Sequence, residues 1–136
     1  QPERSGRGMT SIIIPLPWTR PPLTGNRTRG NPYARAGEVK AAKAEASAAI
    51  GRAKPRHVVA ADVTLHFRPS TKQRRDADGL FPTLKVCQDA LVLRGVLPED
   101  SWVTVPCASC RIHPPNGEPA AMWLSLTSIT EYKEKP

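Results

Sequence analysis

Residues 57-HVVAADVTLHFRPSTKQRRDADGLFPTLKVCQDALVLRG-95 decide the architecture, because their hydrophobic period changes within one run. From His57 to Phe67 apolar and polar side chains alternate, the period-two signature of a half-buried strand, and Arg68, Pro69 and Ser70 close it. From about Leu80 to Arg94 the apolar residues Leu80, Leu84, Cys87 and Leu91 recur at helical spacing and make one stripe. Asp78 is the candidate N-cap of that helix, Pro82 is tolerated in its first turn, and Gly95 stands where a C-terminal cap is wanted. Between strand and helix lies 72-KQRRDADGL-80, three cations directly followed by two acids. A strand and a helix joined by so charged a turn predict an α+β domain with chemistry at the turn.

Outward from this unit the remaining elements follow. Residues 10-TSIIIPLP-17 are β-branched and bounded by prolines, which predicts a strand. Trp18 to Arg35 holds Pro21, Pro22, Gly25, Asn26, Gly30, Asn31 and Pro32 with Arg20, Arg27, Arg29 and Arg35, and is expected to be a long basic loop. Ala36 to about Ala53 is built from strong helix formers with Glu38, Lys40, Lys43 and Glu45 on a solvated face. After the loop 95-GVLPEDS-101, Trp102 to His113 and Ala121 to Thr130 are expected to be two strands of a hairpin turned by 114-PPNGEP-119. The predicted order is β, loop, α, β, α, β, β: a single small domain, a mixed β-sheet packed by two main helices. That domain is expected over residues 9 to 136, with residues 1 to 8 a flexible tail or a remnant of expression.

The chain has 136 residues, enough for one real core. Hydrophobic residues make up 39% and aromatics 5%, with 15 prolines and 9 glycines grouped in a few places, as in a globular domain with irregular loops. No apolar run approaches the roughly 18 to 20 residues of a membrane span. The start lacks an apolar segment of signal-peptide type, and 3 cysteines do not make a secreted disulfide scaffold, so a reducing cytoplasm is expected. Net charge is +8, unevenly spread: residues 1 to 75 carry 15 basic against 4 acidic side chains, residues 76 to 136 only 5 against 8. A basic half is the electrostatic footprint of a phosphate backbone, and nucleic acid is the expected partner.

In extended backbone, residues two apart point to the same side, so Asp76 and Asp78 can present their carboxylates together. Carboxylates with waters are the ligand set magnesium prefers, although an Asp-x-Asp pair also serves as caps and turn residues. Glu99 and Asp100, in the loop leaving the helix, could join them. Lys85 follows Asp78 by close to two helical turns and could reach toward a group bound there; equally, it could form a surface ion pair with Asp89 at i+4. Cys107 and Cys110 form a C-x-x-C, with Cys87, His66 and His113 as conceivable partners for zinc, but three residues apart in a strand face opposite sides, and free thiols are expected. Trp102 and Trp123 are expected in the core or a dimer contact, and Trp18 in packing rather than base stacking.

The segment 74-RRDADGLFPTLKVCQDALVLRGVLPEDSWV-103 resembles the RusA-type Holliday junction resolvases, whose signature runs from an Arg-rich stretch through Asp-x-Asp-Asn-Leu, a lysine, an Asp-Ala-Leu and a glycine turn to a double acid. The likeness extends over most of residues 10 to 131, including 14-IPLPWTRPPLTGN-26. It implies a homodimeric endonuclease, dependent on magnesium or alternatively manganese, that nicks four-way DNA junctions symmetrically in the cytoplasm of bacteria, encoded by host, phage or prophage. Asp76, Asp78 and Asp100 would be the metal-binding and catalytic carboxylates, Glu99 a helper at the metal, and Lys85 the essential lysine. Lys72, Arg74 and Arg75 would grip DNA, with Arg20, Arg27 and Arg29 in a second contact. Gly79 stands where the family has asparagine. That departure keeps open a non-catalytic branched-DNA-binding protein of the same fold, and a basic protein with an RNA or protein partner is the third reading.

Overall fold

The computed structural model describes residues 9–23, 31–72 and 77–129. Among the described residues the chain runs β1 (Met9–Pro15), α1 (Pro32–Ala53), β2 (Ala61–Arg68), a 3-10 turn (Ala77–Leu80), α2 (Phe81–Leu93), β3 (Ala108–Ile112) and β4 (Ala121–Ile129). The four strands form one mixed sheet in the order β1-β4-β2-β3, antiparallel except for the parallel pair β2 and β3. This is the expected α+β domain with two main helices.

α1 begins four residues before the sequence expectation. Asn31 and Pro32, counted there as loop breakers, start the helix: the Asn31 side chain accepts from the Ala34 N–H at 3.1 Å, and Pro32 occupies the first turn, where its missing N–H costs nothing. β2 begins at Ala61 instead of His57, since Val58 N–H is spent on the Val96 carbonyl of the loop after α2. Asp78 is not the residue that caps α2. It lies in the 3-10 turn, and Leu80 takes the cap position without a side-chain hydrogen bond. Gly95 does supply the positive φ, 77°, that ends the helix.

The hairpin expectation is overturned. β3 and β4 are not neighbours; β2 lies between them, and residues 102 to 107 form turns instead of strand. The 113–120 connection holds Pro114, Pro115 and Pro119, which cannot donate to a ladder, and it carries the chain across the end of β2. Burial explains the placement: β4 buries Met122, Leu124, Leu126 and Ser128 in strict alternation and takes an inner position, while polar β3 takes an edge.

One face of the sheet carries the core. Ile14, Val63, Leu65, Phe67, Leu124 and Leu126 meet Ala46 and Ile50 of α1 and Leu84, Cys87 and Leu91 of α2. The expected stripe of α2 is therefore buried as a whole. Alanines 42, 46 and 49 let α1 approach closely. Trp18 packs on this core and donates to Glu45 Oε1 at 2.8 Å, while Thr83 Oγ1 bonds the Leu23 carbonyl. These bonds tie the start of the basic loop to both helices.

Candidate functional site

α2 faces the core with one side and leaves Lys85 and Asp89 on the other, one helical turn apart. The loop after α2 is held by Thr104 and Val105 N–H groups on the Ser101 carbonyl, and it delivers Asp100 to the same spot. Lys85 Nζ donates to Asp100 Oδ2 at 2.9 Å and lies 3.3 Å from Asp89 Oδ1. Asp89 Oδ2 in turn sits 3.8 Å from Lys43 Nζ of α1, so the cluster spans both helices and the loop. The hydrogen bond to Lys85 holds the Asp100 carboxyl below its usual range, and the same bond, with Asp89 adding to it, raises the lysine.

Of the two sequence readings of Lys85, the i+4 ion pair with Asp89 is present, with Asp100 joining it, whereas a reach toward a group bound near Asp78 involves a side chain outside those described. Its tip lies between Asp89 and Asp100, because two carboxylates attract it there. Glu99, next to Asp100, accepts from Ser101 Oγ at 3.0 Å. The 3-10 turn carrying Asp78 touches α2 and β3. Asp76, Arg74, Arg75, Arg27 and Arg29 lie outside the described residues, as does the side chain of Asp78; Lys72 and Arg20 are exposed.

The donor type present here, carboxylate oxygen, is the one a hard divalent cation takes. Glu99 and Asp100 are exposed carboxylates on consecutive residues, Asp100 is kept ionised by Lys85, and oxygen donors of this kind suit magnesium. Among the described residues no three histidine, cysteine or acidic side chains converge on one point. Half of the expected carboxylate set, Asp76 and Asp78, lies beyond those side chains.

A second polar cluster occupies the sheet face turned away from the helices. Cross-strand partners His66 and Trp123 stack with planes 3° apart and centroids at 5.1 Å, and His113 completes a ring triangle at 5.0 and 5.1 Å. His66 Nδ1 and His113 Nε2 are 2.8 Å apart, and His66 Nε2 lies 2.8 Å from Ser125 Oγ. Only one histidine can donate in that contact, so at least one ring is neutral. Burial lowers both pKa values, followed for His66 by His113 and for His113 by Arg111. Arg68 lies 5.7 Å from the Trp123 ring centroid and donates to the Pro119 carbonyl, latching the crossing connection. Trp123 is therefore neither core nor solvent, and Trp102, 79% exposed, is not core. The sequence carried one signal for this cluster: His66 and Trp123 fall on the outward positions of alternating strands.

The C-x-x-C does not close on itself. Cys107 is exposed before β3, whereas Cys110 turns to the core beside Cys87, and burial pushes these thiols to about 11 and about 12. No family model matches the chain, and no curated protein matches it.

Proposed function

We propose that the chain is a metal-dependent, structure-specific endodeoxyribonuclease that nicks four-way DNA junctions as a homodimer. One observation carries the reading: Lys85 and Asp100, 15 residues apart, meet at 2.9 Å on the exposed side of α2. These are the lysine and the distal acid that the resolvase-like motif singles out. A conventional surface pair at i+4 would have required Asp89 alone.

Asp76, Asp78 and Asp100, with Glu99 beside them, would hold the magnesium ion, which when bound lowers the pKa of an attacking water and stabilises the leaving oxygen. The chain's own contribution is charge placement. Lys85 keeps Asp100 ionised and oriented, and its ammonium offsets negative charge that builds on a phosphate in the transition state. Lys72, Arg74 and Arg75 supply the cations that hold the flanking backbone.

The test is cleavage of a labelled synthetic four-way junction, with linear duplex as control, for wild type, Asp78→Asn and Asp100→Asn in magnesium and in chelator. Paired nicks confined to the junction, dependent on metal and lost in both variants, are expected. The ion pair also favours a second reading: a carboxylate already satisfied by an ammonium belongs equally to a non-catalytic branched-DNA-binding protein. That reading is supported instead if the junction binds tightly, with strong salt dependence, and is never nicked in any divalent metal.

A further inference from the structure

Beyond Lys43 the cationic surface continues into a groove of about 360 Å³ between α1 and the end of α2. It is lined by the small or apolar residues Ala44, Ser47, Ala48 and the largely exposed Leu93, together with the cations Lys40, Lys43 and Arg94. Arg94 is held in place by two features of α1. Its Nε donates to Ser47 Oγ at 2.9 Å, and its guanidinium lies on Gly51 so closely that a Cβ there would come within 2.8 Å of Cζ and Nη1. An arginine held across a neighbouring helix in this way is already oriented in part before any ligand arrives, which lowers the cost of binding one. Lys43 lies 3.8 Å from Asp89, a carboxylate that it shares with Lys85. The groove is thus positive, shallow and preorganised.

We propose that this groove is a phosphate-binding site for the backbone of a DNA arm, leading away from the Lys85–Asp100 centre along α1. The inference rests on the nuclease reading and adds to it a DNA contact formed by Lys40, Lys43 and Arg94. The fork of the Arg94 guanidinium matches two oxygens of a phosphodiester. Lys40 and Lys43, on the same side of α1 one turn apart, extend the positive rim. The apolar side chains of Ala44, Ala48 and Leu93 would lie against the sugars between successive phosphates.

The test is equilibrium binding of a labelled four-way junction in chelator, from 50 to 200 mM salt. It compares wild type with Arg94→Gln, Lys40→Gln and Gly51→Ala, and adds a separate titration with inorganic phosphate. Each charge removed is expected to reduce the salt slope by about 0.9 and to weaken binding by about three- to tenfold. Gly51→Ala keeps every charge and raises helix propensity, but displaces the guanidinium, so it should fold as wild type and weaken binding by a smaller factor. Unchanged slopes in all three variants, with tight wild-type binding, would overturn the groove and leave the nuclease reading standing. Saturation by inorganic phosphate with unchanged DNA slopes would also overturn it, marking a small-anion site. If wild type does not bind the junction at 50 mM salt, the groove proposal and the nuclease reading fall together.

Discussion

The same strands build two unlike faces of one sheet. Toward the helices, β2 and β4 present Val63, Leu65, Phe67, Met122, Leu124 and Leu126, all sealed from water and indifferent to partner chemistry beyond shape. Away from the helices they present Thr64, His66, Trp123 and Ser125, half-buried, each with a named partner: Thr64 Oγ1 bonds Ser109 Oγ at 3.0 Å, His66 bonds both His113 and Ser125, and Trp123 stacks on His66. The apolar face gains from buried area and close packing, so it needs no particular hydrogen-bond partner but is sensitive to lost volume. The polar face gains from register, and a slip of one residue would undo it.

The largest expected effect breaks the apolar face. Leu65→Ala should cost about 2–5 kcal/mol, measured by urea unfolding, because the side chain is fully enclosed and its loss leaves a cavity. If it costs less than a change on the polar face, the contrast between the faces is wrong. Next comes the site beside α2. Lys85→Met should lower junction cleavage by about two to three orders of magnitude under the nuclease reading, a loss of transition-state charge stabilisation. On the same variant stability should change by at most about 1 kcal/mol, since the pair is exposed and screened.

Acidification sharpens the comparison further. His66 and His113 have lowered pKa values in the fold, so below about pH 6.5 the unfolded chain binds protons that the folded chain refuses. Stability from this cluster is complete above that pH and is lost as pH falls toward the folded pKa values. Melting curves at pH 7 and pH 5 should show a drop of a few degrees, flattened in the double variant His66→Gln/His113→Gln. The Lys85–Asp100 pair behaves differently. Asp100 is depressed and Lys85 raised, so its contribution persists from above about pH 4 to about pH 10 and does not enter that window. The smallest expected effect is Thr64→Val, about 1 kcal/mol or less, because Ser109 lies at a half-exposed edge and can turn to water.

Much of the fold was legible in short stretches. The 3.6-residue stripe of Leu80, Leu84, Cys87 and Leu91 named the buried side of α2, and the alternation through Val63, Leu65 and Phe67 named the buried side of β2. Where expectations failed, a local signal had two meanings. Asn31 and Pro32 break helices in their interiors but begin them at their ends, and the proline-rich 114–119 segment serves a turn or a crossing equally well. At the candidate site, Lys85 and Asp100 were both singled out by the motif, and Asp89 by its spacing from Lys85. That Lys85 would hold Asp89 and Asp100 together depended on the path of residues 95 to 101, which the loop's own composition leaves open.

By itself the sequence determined the α+β class, two helices with the buried face of α2, the uneven charge and the acids around the α2 helix, because each is a property of neighbours along the chain. Only the tertiary structure decided the strand order β1-β4-β2-β3, the joining of Lys85 to Asp100, the stack of His66, His113 and Trp123, and the seating of Arg94 on Gly51. These depend on contacts between residues far apart in sequence, whose free energy becomes available only when the whole core closes and fixes which backbones lie side by side.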